Sequence, residues 1–225
     1  PDIISGLTYQ PHNSLKVIEV RNLTDSAYVL RLERRNIKFK AGQHISLGIE
    51  DNETTREYSI YSGENDPYLE VLIKEVKEGL VSKQLKKLKA GERVKFDGPV
   101  GYFLLDEEKR LTSKLLFIAS GTGIAPFRSF VRTNPELDYK LLHGVRYAEE
   151  AYEKSFYEPG RHILCTTGDD QGDFSGRVTD YLKSGTVHPD TMVYLCGNCN
   201  MIHDAYDILL EQGVPADHIH SEVYF

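Results

Sequence analysis

Between Leu115 and Pro126 the chain reads Leu-Leu-Phe-Ile-Ala-Ser-Gly-Thr-Gly-Ile-Ala-Pro, and no other stretch restricts the fold so tightly. The unbroken apolar run suits a strand buried on both faces of a parallel sheet. It delivers the chain into a Gly121-Thr122-Gly123 turn at a helix start, where two glycines let backbone N–H groups approach an anion such as a nucleotide pyrophosphate. The match to G-x-G-x-x-G is imperfect, because Pro126 stands where a third glycine or alanine is expected. Alone, the stretch is weak evidence for a nucleotide site, and an ordinary strand–turn–helix corner is the better reading. Its meaning depends on what accompanies it.

Two rhythms divide the chain. From about Lys16 to Phe103, short alternating runs (15–20, 28–32, 44–49, 68–76) are broken by turn residues, the pattern of an antiparallel barrel or sandwich. One helical stretch interrupts them at 81–88, with apolar residues at 81, 85 and 88 and lysines between. Beyond Asp106, strand-like runs at 114–119, 139–145, 161–166, 192–196 and 219–224 alternate with helical segments, as a parallel α/β sheet requires. The expected fold class is a two-domain β + α/β protein. The charged segment 105–113 marks the boundary, giving domains of 1–108 and 109–225.

Charge and composition exclude some functions. A formal net charge of −7 without a dominant basic block argues against nucleic-acid binding. No apolar run is long enough to span a membrane. Three cysteines without framework spacing, and no secretory pattern at the start, point to a reducing cytoplasm.

Four short segments carry the chemistry. Arg56-Glu57-Tyr58-Ser59, at a strand end, offers a bidentate fork for phosphate, a flat aromatic face and a small donor, with Arg56 and Tyr58 on one strand face and Ser59 on the other. Gly79-Leu80-Val81-Ser82 precedes the lysine-bearing helix, and its N–H groups and hydroxyl suit a diphosphate, although Ser82 serves equally well as a helix cap. Gly121–Pro126 is the third. The fourth, Leu195-Cys196-Gly197-Asn198, ends a strand, so Cys196 would face the same crevice as the glycine turn.

This ordered set resembles the ferredoxin–NADP reductase family from about Lys16 to Phe225. The likeness rests on Arg56–Ser59, Glu78–Ser82, Gly98-Pro99-Val100-Gly101, Gly121–Pro126, Val145-Arg146-Tyr147, Gly176-Arg177-Val178, Cys196-Gly197-Asn198 and the terminal Glu222-Val223-Tyr224. Phe225, beyond that tyrosine, departs from the plant-type chain end. The resemblance implies an antiparallel FAD-binding β-barrel followed by a parallel-sheet NAD(P)-binding domain. It implies Arg56 and Gly79, Leu80, Val81 and Ser82 at the flavin diphosphate, Tyr58 against the isoalloxazine, Ser59 near its N5, Tyr224 stacked on the other flavin face, and Phe225 toward the adenine side. Gly121, Thr122, Gly123, Pro126 and Gly197 would hold the nicotinamide nucleotide. Cys196 would lie at the hydride-transfer point, with Ser59 and Glu222 as the polar wall that positions the ring and relays a proton.

The implied reaction is hydride transfer between NAD(P)H and FAD, with single electrons passing to or from ferredoxin or flavodoxin. Lacking a four-cysteine set, the chain needs a separate one-electron partner. Arg146 and Arg177 both suit a 2′-phosphate. The family's Ser-Arg pair, however, aligns with Thr167-Gly168, followed by Asp169 and Asp170, so NADP(H) stands only somewhat ahead of NAD(H). Lys83, Lys86, Lys87 and Lys89 form a basic patch able to steer an acidic acceptor, or simply a solvated face. Cys196 and Cys199 spell C-x-x-C, but Cys165 and scattered histidines do not complete a metal site, and none is expected. Two alternatives keep these residues: a flavin reductase or the reductase component of an oxygenase, and a non-catalytic nucleotide-sensing protein. Oligomeric state is left open.

Overall fold

The computed structural model describes residues 13–50 and 52–224, which leaves Phe225 outside the described residues. In the first half, β1 (Ser14–Asn22), β2 (Ala27–Glu33), β3 (His44–Ile49), β4 (Thr55–Ser59) and β5 (Tyr68–Lys74) lead to a short helix α1 (Leu80–Lys86) and then β6 (Arg93–Val100). They form a six-stranded antiparallel sheet in the order β4-β3-β6-β1-β2-β5. A bridge between Ile60 and Val71 brings the end of β4 to β5 and curls the sheet into a barrel. The period-2 alternation drives this closure: Leu15, Val17, Tyr28, Leu30, Ile45, Leu47, Val71, Ile73 and Val94 fill the interior. β4 and β5 are the edges, and a seam is left between them.

The second half is built from β7 (Leu115–Ser120), α2 (Ala125–Thr133), β8 (Tyr139–Val145), β9 (His162–Thr166), a two-residue β10 (Phe174–Ser175), α3 (Val178–Ser184), β11 (Met192–Asn198), α4 (Cys199–Glu211) and β12 (Ile219–Tyr224). The sheet is parallel, ordered β10-β9-β8-β7-β11-β12. The chain winds outward from β7 to β10 and then returns to the other side of β7. The switch in direction therefore falls between β7 and β11, and a ligand crevice is expected beyond their carboxyl ends. Successive residues of β7 serve opposite faces: Leu116 and Ile118 join Leu182, Ile202 and Ala205 of α3 and α4. Leu115, Phe117 and Ala119 instead pack with Phe127 and Phe130 of α2 and with Ala27, Val29, Tyr61 and Leu72 of the barrel.

That second core continues across the join of the two sheets, and ion pairs rim it. Arg128 of α2 reaches Glu70 of β5 at 3.5 Å and Glu153 at 3.1 Å, while Arg21 of β1 reaches Glu153 at 2.6 Å. Arg132 binds Asp66 at 2.9 Å, and the Ser129 hydroxyl donates to the Ser62 carbonyl at 2.7 Å. Glu70 is almost fully buried, and its carboxylate is paired with Arg31 of β2 at 2.8 Å as well as with Arg128. The sheets thus hold one relative orientation, and the seam between β4 and β5 opens toward the carboxyl ends of β7 and β11.

Candidate functional site

The first cavity, of about 590 Å³, follows the seam and is walled by residues 55–59 of β4, residues 72–76, His44 and Ser46 of β3, Thr122, and residues 222–224. Strand pairing sets Tyr58 opposite Ile45 and Arg56 opposite Leu47, with Ser59 opposite His44 and Glu57 opposite Ser46. Arg56 and Tyr58 therefore share one face and Ser59 the other, as the alternation predicts. Because β4 is an edge strand, one cavity still reaches both faces. Arg56 is exposed, and among the described residues its guanidinium donates to the neighbouring Thr55 carbonyl alone, at 2.8 Å, which leaves donors for an anion. Burial pushes the Tyr58 phenol up to about 12, so it stays a neutral donor.

At the inner end of the cavity, the terminal strand β12 meets β4. The Tyr224 hydroxyl donates to Ser59 Oγ at 2.6 Å, and the Ser59 hydroxyl donates to Glu222 Oε2 at 3.1 Å. Parallel pairing of β11 with β12 sets Cys196 beside Glu222. Burial raises the Glu222 carboxyl above the usual carboxylate range, against the pull of its Ser59 bond and of His44. Burial likewise pushes the Cys196 thiol and the Tyr224 phenol well up, each aided by the other charges of the cluster. Ser59, Cys196, Glu222 and Tyr224, scattered over the sequence, are one cluster in space. Cys196 is fully buried behind Tyr224 rather than open to the cavity.

The second cavity, of about 700 Å³, lies beyond the carboxyl ends of β7, β8, β9 and β11. Gly121, Thr122, Arg146, Thr167, Arg177, Gly197 and Asn198 help line it. Gly121 has φ +53°, and a side chain there would meet nothing within 4 Å, so the turn is an open cradle. Gly123 differs: a Cβ would come within 2.3 Å of the Cys196 carbonyl oxygen. The close contact of turn and sheet, which the dinucleotide fingerprint assigns to its third glycine, is made here by Gly123. Pro126 sits buried in the first turn of α2, where a missing N–H costs nothing. Gly197 (φ +127°) leaves room for Ser120, whose Oγ accepts from the Asn198 N–H at 2.8 Å.

The loops after β8 and β9 are tied together. A Cβ on Gly168 would lie 2.8 Å from the Arg146 carbonyl oxygen and 2.7 Å from the Tyr147 ring, so the glycine packs under the loop that carries Arg146. Asp169 is turned to the Ala148 N–H at 2.8 Å, and neither Asp169 nor Asp170 lines the cavity. The two cavities share Lys74, Thr122 and Tyr224.

Residues 79–82 stand just past the β5 wall. The Gly79 N–H bonds the Val76 carbonyl at 2.9 Å, and Ser82 Oγ accepts from the Val76 N–H at 3.1 Å, so Ser82 pins the turn from beneath. Val81 is buried and Leu80 exposed. Of the lysines on and after α1, Lys86 pairs with Glu75 at 3.3 Å, and Lys83 donates to the Lys77 carbonyl. Sequence reasoning missed Lys74, which pairs with Glu150 across the join, and His44; it also missed His143, whose Nε2 lies 2.8 Å from the Gly121 carbonyl oxygen. Lys74 did carry a signal, as a charge ending an apolar strand. Cys165 and Cys196 are buried and Cys199 is exposed. Among the described residues no group of three or more His, Cys, Asp or Glu is placed to hold a metal.

The donors present fit two nucleotides: an exposed arginine and two buried-edge phenols at one cavity, and a glycine cradle with two arginines at the other. Comparison with known proteins agrees. Residues 14–104 match the oxidoreductase FAD-binding domain family, and residues 117–207 match the oxidoreductase NAD-binding domain family. A flavodoxin/ferredoxin–NADP reductase of Escherichia coli (strain K12) is 31% identical over 215 residues, which are 84% of this chain and 86% of that protein. The toluate 1,2-dioxygenase electron transfer component of Pseudomonas putida is 27% identical over 96% of this chain and 69% of its own length. A ferredoxin NADP+ reductase from Neisseria gonorrhoeae, solved with bound FAD and NADP, shares the fold with a TM-score of 0.84 at 24% identity over 94% of this chain and 98% of its own. With a flavin domain and a nicotinamide domain matched in succession, and a reductase aligned over most of both lengths, the chain belongs to the ferredoxin–NADP reductase family of FAD- and NAD-binding oxidoreductases.

Proposed function

We propose that the chain moves a hydride between NADP(H) and FAD and passes single electrons to or from a ferredoxin or flavodoxin. The observation that carries this reading is the pair of cavities meeting at Lys74, Thr122 and Tyr224, which lets two nucleotides approach ring to ring. FAD, when bound, accepts the electron pair and releases it one electron at a time. Arg56 supplies the fork for its diphosphate, with the backbone N–H groups of Leu80 and Val81 at the start of α1 and Ser82 fixing that turn. Tyr58 packs along the flavin, Ser59 and Glu222 form a polar wall that positions the ring and carries a proton, and Tyr224 stacks where the nicotinamide must enter. Phe225 is assigned to the adenine side on resemblance alone. Gly121, Thr122, Gly123, Pro126 and Gly197 shape the pyrophosphate turn, and Cys196 backs Tyr224 at the transfer point.

NADP(H) is placed ahead of NAD(H) because Arg146 and Arg177 line the nucleotide cavity while Asp169 is engaged by the Ala148 N–H. We keep the domain boundary at 108/109, within the segment that joins the two sheets. No helix among the described residues is long and apolar enough to cross a membrane, and we propose a cytoplasmic location. The net charge of −7 argues against a nucleic-acid partner, and we propose none.

The test is an anaerobic titration of the purified, yellow protein with NADPH and, separately, NADH. We expect bleaching at lower concentrations of NADPH, with the difference removed by joint Arg146→Ala and Arg177→Ala substitution. Equal response to both nucleotides would remove the NADP preference, and no bleaching with either would leave the nucleotide-sensing reading. A second reading, the reductase component of an oxygenase, is favoured by the match to the toluate dioxygenase component over nearly the whole chain. Cytochrome c reduction that depends on added ferredoxin separates the two from a free-flavin reductase.

A further inference from the structure

His143 lies on β8 in the middle of the parallel sheet, fully buried, and the reading above gives it no part. The geometry points to a positioning role: the His143 Nε2–H holds the Gly121 carbonyl and so aims the N–H of Thr122 at the nucleotide pyrophosphate. The inference rests on the assignment of Gly121–Gly123 to that pyrophosphate.

β8 pairs with β7 so that His143 stands beside Ala119, two residues before Gly121. Its Nε2 reaches the Gly121 carbonyl oxygen at 2.8 Å. Tyr152 and His162 pack around the ring, with centroids 5.9 and 5.5 Å away, so the imidazole has little freedom to turn. Burial holds His143 down to about 4, which keeps it uncharged at neutral pH. A neutral imidazole has one N–H. Placed on Nδ1, that proton would be buried without an acceptor among the described residues, while Nε2 would set a lone pair against the carbonyl oxygen. The proton therefore sits on Nε2 and is donated to Gly121.

What this bond controls is the direction of one peptide. The Gly121–Thr122 peptide is trans, so its carbonyl and its N–H point opposite ways. With the carbonyl drawn inward to His143, which does not line the nucleotide cavity, the Thr122 N–H turns to the side that Gly121 and Thr122 do line. Something must hold it there. Gly121 has φ +53° and a Cβ on it would meet nothing within 4 Å, so neither a side chain nor packing on that side resists rotation of the peptide. The flanking residues are fixed by other means: Ser120 Oγ accepts from the Asn198 N–H at 2.8 Å, and Gly123 lies against the Cys196 carbonyl. A turned peptide would present a carbonyl dipole to a diphosphate in place of an N–H, exchanging attraction for repulsion.

The test compares His143→Phe, which keeps a flat ring without the N–H, with His143→Gln, whose amide can donate from the same place, in the full flavin-loaded chain. NADP⁺ should bind roughly five- to tenfold more weakly to His143→Phe, the worth of one orienting hydrogen bond, and close to normally to His143→Gln. Adenosine 2′-monophosphate, which has no pyrophosphate, should bind all three proteins alike; an equal loss for both ligands would show a merely structural role and overturn the inference. Flavin absorbance and melting curves check that each variant is folded. On the wild-type protein, long-range proton–nitrogen NMR should give the Nε2–H tautomer for the histidine signal that is lost in His143→Gln, and an Nδ1–H tautomer would equally overturn it. Gly121→Asp tests the assignment beneath: Asp tolerates a left-handed backbone, and its carboxylate in the open cradle should weaken NADP⁺ binding roughly tenfold or more relative to Gly121→Asn. Normal NADP⁺ binding by Gly121→Asp would remove the pyrophosphate assignment; normal binding by His143→Phe beside a weakened Gly121→Asp would remove only the role of His143.

Discussion

Tyr224 borders both cavities and hydrogen-bonds Ser59, so one phenol stands between the two nucleotide spaces. In the proposed reading, a nicotinamide that enters displaces it. Replacing the ring with a serine removes a competing aromatic contact worth about 1 kcal/mol, so Tyr224→Ser should bind the oxidised nucleotide about five- to tenfold more tightly. Difference spectra on titration with NADP⁺ read this directly, and an unchanged affinity would count against Tyr224 as the stacking residue. Its place was legible because it closes an ordered series of motifs. That Cys196 lies wholly behind it was not, since burial of a strand residue depends on what packs over the sheet. His44 was equally hidden: its partner Ser59 is fixed by cross-strand register, and register is a property of two strands together.

The glycine turn between β7 and α2 shows how one short motif divides its duties. Gly121 faces open space with positive φ, whereas Gly123 lies against the Cys196 carbonyl of β11. Gly123→Ala must push the turn off the sheet, and we expect a drop of several degrees in Tm together with at least tenfold weaker NADPH binding. Gly121→Ala meets no atom and pays only for a left-handed backbone, about 1 kcal/mol, so its melting point should fall less. Thermal melts and nucleotide titrations of the two variants decide; equal losses would show that steric contact with Cys196 is not what Gly123 provides. The strand and the turn were readable from the apolar run and the glycines. The role of Pro126 was not, because the spacing alone could not show that the close contact had moved to Gly123.

Barrel and sheet are locked by a shared core and by the Arg21, Glu70, Arg128 and Glu153 cluster, and the same packing leaves two histidines inside the second domain. Burial holds His143 down to about 4 and His162 down to about 3, the latter also repelled by His143. The unfolded chain, with ordinary histidines near 6.5, then binds protons the folded chain refuses. The stability these residues contribute is complete above pH about 6.5 and is lost as pH falls through that value toward 4, at about 1.4 kcal/mol per pH unit for each histidine. Urea midpoints between pH 7.5 and 5 should show this slope, and His162→Phe should reduce it; identical slopes would refute the assignment. From its linear pattern alone the chain determined the division into an alternating barrel half and a wound parallel half, together with the order of the nucleotide-binding segments, because periodicity and turn chemistry are local. Only the tertiary structure decided that the seam of the barrel opens onto the switch point of the sheet, that Lys74 and Tyr224 border both cavities, and that His44 stands beside Glu222. Those are contacts between segments far apart in the sequence, set by how two cores merge.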